Sequence, residues 1–347
     1  MLTSEHSESE CMAMSTAIYL LSIYYNNRFL LVLKGCKVSY RHSDEPPMRS
    51  LQELISKDLI LITDYKQIID DIGDNHITHM ELHLIDEMPP LDILAPYLGH
   101  LNLSVNTKLQ NLDYIAISNL KHLKVLQLSN NLVSSDLLHE TSRCTLLRQL
   151  ILRGCELTDL PLSLKALNNL QSLDLEGNFF FKGLSEVVTQ LTTLKSLNLK
   201  SCQLTELPES LRALKNLQTL LLNNNYFSKG LPKVVTQLTT LTNLSLRNCK
   251  LTKLPDSLNS LKYMEVLDIS NNIFLGKLPS VVYRMANLEV LHIEDIPHLE
   301  ELSSEILNMK HLKNIKCYNS FALRSPPYAV CQQSLSAIKK YFTDLQD

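Results

Sequence analysis

The sequence predicts an α/β solenoid, a stack of short strands each joined to the next by a return segment. Three observations carry that expectation. Between Leu147 and Leu288 one 47-residue unit is written three times. Aligned on its cysteine, the copies read RGCELTDLPLSLKALNNL, KSCQLTELPESLRALKNL and RNCKLTKLPDSLNSLKYM. Aligned on its asparagine, they read EGNFFFKGLSEVVTQL, NNNYFSKGLPKVVTQL and SNNIFLGKLPSVVYRM. Each unit also splits into two shorter units that share the pattern L-x-x-L-x-L-x-x-(N/C)-x-(L/F). Within that pattern the x-L-x-L stretch alternates, so it forms a short strand with its leucines on the core side. A fixed period of this length is the mark of stacked repeats.

Composition sets the outer limits. The chain has 347 residues, 45% of them hydrophobic and 20% charged, which is ample material for a large core. Length alone suggests two domains, but a solenoid grows by stacking and escapes that rule. A net charge of −3 argues against a general nucleic-acid binder. The opening MLTSEHSESE is acidic and lacks the basic start of a secretory signal. The apolar stretch from Ala17 to Leu33 is broken by Asn26, Asn27 and Arg28. Neither half reaches the roughly 20 residues that span a bilayer, so it reads as buried structure without membrane insertion.

Eight cysteines raise the question of disulfides. Strands of successive repeats stand about 4.8 Å apart, so cysteines two repeats apart are separated by roughly 10 Å. A disulfide needs Cα atoms within about 7 Å. Cys155, Cys202 and Cys249 therefore do not bridge one another, and no Cys/His spacing suits zinc. Free thiols and a cytoplasmic location follow. The sequons at Asn102 and Asn243 fall inside repeats and read as chance.

In chain order, residues 1–14 read as disordered. Ala17 to Tyr25 suits either a helix or a strand. Phe29–Leu33 and Val38–Tyr40 read as a hairpin joined through Lys34-Gly35, and Asp44 to Pro47 as a loop. Ser50 with Glu53 forms a capping box that opens a helix. A second helix is expected from Tyr65 to Ile72, stopping at Gly73. Residues 1–76 are then a cap on the open end of the solenoid or a small accessory domain. The repeats occupy 77–323, about eleven in number. The first is degenerate and is carried by Ile77, Met80 and Leu82. Clear frames begin at Leu98, Leu123, Leu147, Leu170, Leu194, Leu217, Leu241, Met264, Leu288 and Leu312. A capping segment fills 324–347, where Leu335, Ile338, Phe342 and Leu345 share one helical face.

In Leu217-Gln-Thr-Leu220-Leu-Leu222-Asn-Asn-Asn225-Tyr-Phe227 every position of the pattern is filled. This resembles the leucine-rich repeat family over about 77–323. The resemblance implies a horseshoe with a concave parallel β-sheet, and a buried asparagine, such as Asn225, that bonds adjacent turns. Cysteine at 155, 202 and 249 is a familiar substitute there, small and weakly donating. The odd units, LTxLPxSLxxL, resemble the intracellular Ras-suppressor-like type. The even units, as in Phe274-Leu-Gly276-Lys-Leu278-Pro279, resemble the 24-residue type common in plants. The end of the chain, with Pro326-Pro327 and Ala337-Ile338-Lys-Lys-Tyr341, resembles the closing segment of Roco-type and Ras-suppressor-like proteins. It departs from that segment twice: Ser320 or Phe321 replaces the asparagine, and Ser334 replaces the glycine.

Motifs of catalysis are missing from the sequence. It contains no phosphate loop, kinase signature, GxSxG or HExxH, and no cysteine is followed two positions later by aspartate. His76, His79 and His83 are the closest histidines, but the last two flank an expected strand, so no metal and no cofactor are expected. What remains is the concave face. Its candidate partner-binding residues are Arg153, Asp174, Glu176, Phe179, Lys200, Asn223, Tyr226, Arg247 and Lys250. Basic residues recur on odd units, and aromatic or apolar ones on even units. The pattern fits either an imprint of duplication or a mixed protein-binding face with aromatic and arginine anchors. The expected function is a non-enzymatic protein-interaction module. The alternative is a bacterial effector or a fragment of a larger signalling protein in which 1–76 belongs to a catalytic or signalling domain.

Overall fold

The computed structural model describes residues 18–25, 28–35, 79–83, 98–106, 114–273 and 276–346. The start expected to be disordered, the expected loop at Asp44 to Pro47, the expected capping box at Ser50 and the helix expected from Tyr65 lie outside those residues. The chain divides into two compact units, Met1–Glu156 with Pro161–Leu170, and Leu157–Leu160 with Gln171–Asp347.

The first unit opens with β1 (Ile18–Tyr25) and β2 (Arg28–Gly35), antiparallel with Ile18 opposite Gly35 and Tyr25 opposite Arg28. This corrects the expected hairpin, because Lys34 and Gly35 are strand residues and not the turn. Asn26-Asn27 separates two runs rich in β-branched and aromatic residues, which is a hairpin signal in its own right. Ala17 to Tyr25 is thereby strand and not helix from Ile18 onward. β1 also pairs antiparallel with β3 (His79–His83). From β3 the ladder turns parallel, to β4 (His100–Asn102), β5 (Val125–Gln127) and, beyond it, β6 (Gln149–Ile151). Met80 stands opposite Leu101, so the degenerate first repeat is in frame. The returns hold α1 (Tyr114–Asn119) and α2 (Ser135–Thr141). Ser134 caps α2 by accepting the Leu137 N–H at 3.1 Å.

The second unit stacks β7 (Ser172–Asp174), β8 (Ser196–Asn198), β9 (Thr219–Leu221), β10 (Asn243–Ser245), β11 (Val266–Asp268), β13 (Val290–His292) and β15 (Asn314–Lys316). They pair in parallel and in register, Leu197 opposite Leu173 and Leu220, and Leu267 opposite Leu244 and Leu291. Each strand lies two to four positions after its frame leucine, as the alternation requires. Parallel neighbours need a crossover, and here the crossover is brief. It runs through α3 (Val187–Gln190) or a 3₁₀ turn such as Glu209–Ala213, Lys233–Gln237 or Asp256–Ser260. Pro208, Pro232 and Pro255 precede these three turns, with φ between −55° and −73°. Proline needs no ladder amide and presets that φ. The frame leucines at 194, 217 and 241 and their inward partners are fully buried.

A second, two-stranded sheet pairs β12 (Gly276–Lys277) with β14 (Leu299–Glu301). After the last repeat come α4 (Tyr328–Cys331) and α5 (Leu335–Asp344). α5 packs on the 3₁₀ turn Ser304–Asn308. Ile338 and Phe342 are buried there, and Lys339 Nζ donates to the Met309 carbonyl at 3.3 Å. Ser334, where the resembling segment has glycine, is the N-cap and accepts the Ala337 N–H. Leu345 departs from expectation: it is 64% exposed. The helix ends at Asp344, so the helical face that would have carried Leu345 inward has already stopped.

Candidate protein-binding face

Eight positions after the frame leucine, in every clear frame but that of Leu288, where Ile296 stands, lies a buried polar column of asparagine, cysteine or serine. In the second unit Asn225 is 0% exposed. Its Oδ1 accepts the N–H groups of Cys202 (3.2 Å) and Leu204 (2.9 Å), and its Nδ2 donates to the carbonyls of Leu199 (2.8 Å) and Leu222 (2.7 Å). Asn272 repeats this set with Cys249, Leu251, Leu246 and Ile269. The cysteines keep one donor. Cys202 Sγ reaches the Leu175 carbonyl and Cys249 Sγ the Leu222 carbonyl, both at 3.1 Å. In the first unit Cys155 does the same to Leu128 at 3.2 Å. Burial pushes these thiols up, Cys155 to about 11 and Cys202 and Cys249 to about 12. They remain neutral and unreactive at ordinary pH. The last repeat resolves the open alignment: Ser320 fills the asparagine position, fully buried, accepting the Ile296 N–H and donating to the Ile293 carbonyl.

Position seven is left-handed in all ten frames, from Val105 and Asn130 through Gly154, Gly177 and Ser201 to Asn224, Asn248, Asn271, Asp295 and Asn319. Asparagine and glycine dominate there because they tolerate positive φ. Position nine splits the units. In the odd ones it is also left-handed, at Glu156 (55°), Gln203 (59°) and Lys250 (59°). That bend lets the amides on either side of Gln203 converge on Asn225 Oδ1. In the even units Phe179, Tyr226 and Ile273 instead donate their N–H groups to Leu157, Leu204 and Leu251, each at 2.8 Å. The polar and aromatic alternation seen in the sequence thus follows a backbone difference between the two halves of the 47-residue unit.

The candidate residues fall into distinct settings. Arg153 lies in the first unit, where it is exposed. The other eight lie in the second. Asp174 is only 8% exposed. Its Oδ1 accepts the Glu176 N–H (3.1 Å) and Asn198 Nδ2 (3.0 Å), and the same amide also donates to Glu176 Oε2 (3.0 Å). Strands end at position four, so the amide at position six needs a new acceptor, and an Asp or Asn at four supplies it. Asn198 does so for Lys200 and Asp268 for Ser270. Position four is therefore chiefly structural in these repeats, a role the outward-facing alternation did not reveal.

Arg247 is also engaged. Its Nη1 meets Glu294 Oε2 at 2.9 Å and its Nη2 meets Asp295, bridging over the buried Ser270. Asn223 is half-buried, and its Oδ1 is enclosed with no hydrogen-bond partner among the described residues. Lys200 and Lys250 enter no ion pair among the described residues. Lys200 is half-buried and Lys250 exposed, its Nζ on Asn248 Oδ1 at 3.2 Å. Two aromatic features stand beside them. Tyr226 is 52% exposed. Phe179 stacks on Phe181, ring centres 5.8 Å apart and planes 5° from parallel, and Phe181 is 66% exposed. Phe181 was not among the candidates, since it lies beyond the pattern; the FFF run was its only signal. No helix among the described residues is long and apolar enough to cross a membrane.

The family described as Leucine Rich Repeat matches residues 193–214, 216–238 and 240–261. Each match opens one residue before a frame leucine. The chain has no significant match among curated proteins. Among solved structures it is similar to a leucine-rich-repeat protein of Leptospira interrogans, with a TM-score of 0.58 at 29% identity over 65% of this chain and 56% of that one. It is also similar in fold to a TDR receptor, with a TM-score of 0.52 at 23% identity over 67% of this chain and 40% of that one. The chain thus spans little more than half of the first protein's length and less of the second's. Its repeating frame, the matched stretches and the stacked parallel strands together show a leucine-rich-repeat fold.

Proposed function

We propose that the chain is a non-enzymatic protein-interaction module whose second unit holds a protein partner on its strand face. One observation carries the reading. The rings of Phe179, Phe181 and Tyr226 stand at or near the surface of a unit that also carries Lys200 and Lys250, which enter no ion pair among the described residues. Exposed aromatics on a fixed scaffold supply contact area at little entropic cost, and nearby charges set orientation. Arg247 is not part of the working set, because its guanidinium already serves Glu294 and Asp295. The buried, neutral thiols at 155, 202 and 249 suit a reducing compartment, and the cytoplasm is the proposed location.

The test is affinity capture with the intact chain, followed by kinetics on the captured protein. Lys200→Glu with Lys250→Glu should slow association and change its salt dependence. Phe181→Ala with Tyr226→Ala should speed dissociation by tenfold or more. Both double variants should keep the wild-type urea midpoint, since these side chains lie at the surface. Folded variants that bind with wild-type rates would place the partner elsewhere and leave the alternation as an imprint of duplication.

A further inference from the structure

The end of the second unit brings two cysteines together. Cys317 stands five positions after Leu312, the inward position that is leucine or isoleucine in the nine other clear frames. It is 2% exposed, and no further frame follows it. Cys331 closes α4 and is 5% exposed. Cys317 Sγ donates to the Cys331 carbonyl at 3.1 Å. Cys331 Sγ also reaches the Pro326 carbonyl at 3.7 Å. Both thiols are free.

Their chemistry differs from that of the other described cysteines. Cys144, Cys155, Cys202 and Cys249 each face a backbone carbonyl about one repeat away, and burial pushes each of them up to between about 11 and about 12. Cys317 is pushed up by its hydrogen bond to Cys331 and by burial. Cys331 moves the other way, because the neighbouring Cys317 side chain favours its thiolate. In a neighbouring pair of thiols one sulfur acts as nucleophile and the other as the resolving thiol.

We propose that Cys317 and Cys331 form a dithiol that a peroxide closes reversibly to a disulfide, tethering the C-terminal helices to the last repeat. The Cys331 thiolate attacks one peroxide oxygen; the O–O bond breaks, the S–O bond forms, and the departing hydroxide takes a proton to become water. Cys317 sulfur then attacks Cys331 sulfur. The S–S bond forms, the S–O bond breaks, and the oxygen leaves as a second water with the Cys317 proton. Two thiols lose two electrons, and one hydrogen peroxide becomes two waters. A small dithiol reverses the change by exchange. A small oxidant suits sulfurs this enclosed. The linkage closes a short loop, since the cysteines are fourteen residues apart in sequence, and it restricts the unfolded chain accordingly.

The intact chain, reduced and then exposed to hydrogen peroxide under native conditions, is alkylated, digested and mapped by mass. A peptide pair linked through Cys317 and Cys331 is expected, with Cys155, Cys202 and Cys249 modified only after unfolding. The oxidised chain should unfold at higher urea than the reduced chain, its unfolding equilibrium lowered on the order of a hundredfold. Dithiothreitol should restore the original midpoint. Cys331→Ser should abolish both the link and the shift; because the wild-type comparison needs no variant, a poorly folding C331S leaves the test intact. A native chain in which both thiols survive peroxide, in which Cys331 is over-oxidised without linking, or in which the link leaves the midpoint unchanged, overturns the proposal.

Discussion

At Asn225 a single amide serves four backbone groups in two successive repeats. Removing it strands buried donors and acceptors, each costing about 1–3 kcal/mol. Asn225→Ala should therefore destabilise the second unit by on the order of 3 kcal/mol. Two residues earlier, Asn223 has an enclosed oxygen with no partner to lose, so Asn223→Ala should stay within about 0.5 kcal/mol of wild type. Urea midpoints measure both, and equal shifts would contradict the column. The distinction between these asparagines was legible in the sequence, because only Asn225 recurs at the fixed position. The engagement of Arg247 was not. It depends on Glu294 and Asp295, nearly fifty positions away, and no local pattern joins them.

The turn that follows each strand explains why the period is 47 and not half of that. In the odd unit Gln203 sits left-handed so that the flanking amides meet Asn225 Oδ1. In the even unit the residue at that position, Tyr226, returns an N–H to Leu204. Each half completes the other's hydrogen bonds. Gln203→Gly should be tolerated, or gain about 0.5 kcal/mol, because glycine takes positive φ without strain. Gln203→Val should cost about 1–2 kcal/mol, since a β-branched residue resists that conformation. Thermal or urea unfolding of the two variants should separate them, and coincident curves would remove the conformational argument. The alternation of residue types was visible in the sequence. Its cause was not, because a left-handed glutamine carries no compositional signal.

Over the whole molecule, stability rests on each repeat burying its neighbour's inward face. The last repeat has no successor in this chain, and α5 lays Ile338 and Phe342 against it instead. Deleting 331–347 should expose that face and its strand edge and cause association. Size-exclusion chromatography and light scattering check this; a monodisperse truncation with the wild-type urea midpoint would show that the helices are not a cover. The effect should not depend on Leu345, which is exposed.

The repeat frame, the strand positions, the buried column and the closing helix all followed from the sequence, because each arises from residues near one another in the chain and repeated in register. Periodicity of that kind is local physics written many times over. The N-terminal hairpin was misplaced because the turn signal at Asn26-Asn27 competed with the one at Lys34-Gly35, and only the ladder from Ile18 opposite Gly35 to Tyr25 opposite Arg28 decides between them. The candidate face was only partly legible. Outward alternation marks Asp174 and Tyr226 alike, yet Asp174 is drawn into its neighbours' hydrogen bonds and Tyr226 stands free of the sheet. The pairing of Cys317 with Cys331 is likewise a product of tertiary structure. Spacing along the chain excludes bridges between repeats, but only the tertiary structure brings the Cys317 sulfur to the Cys331 carbonyl.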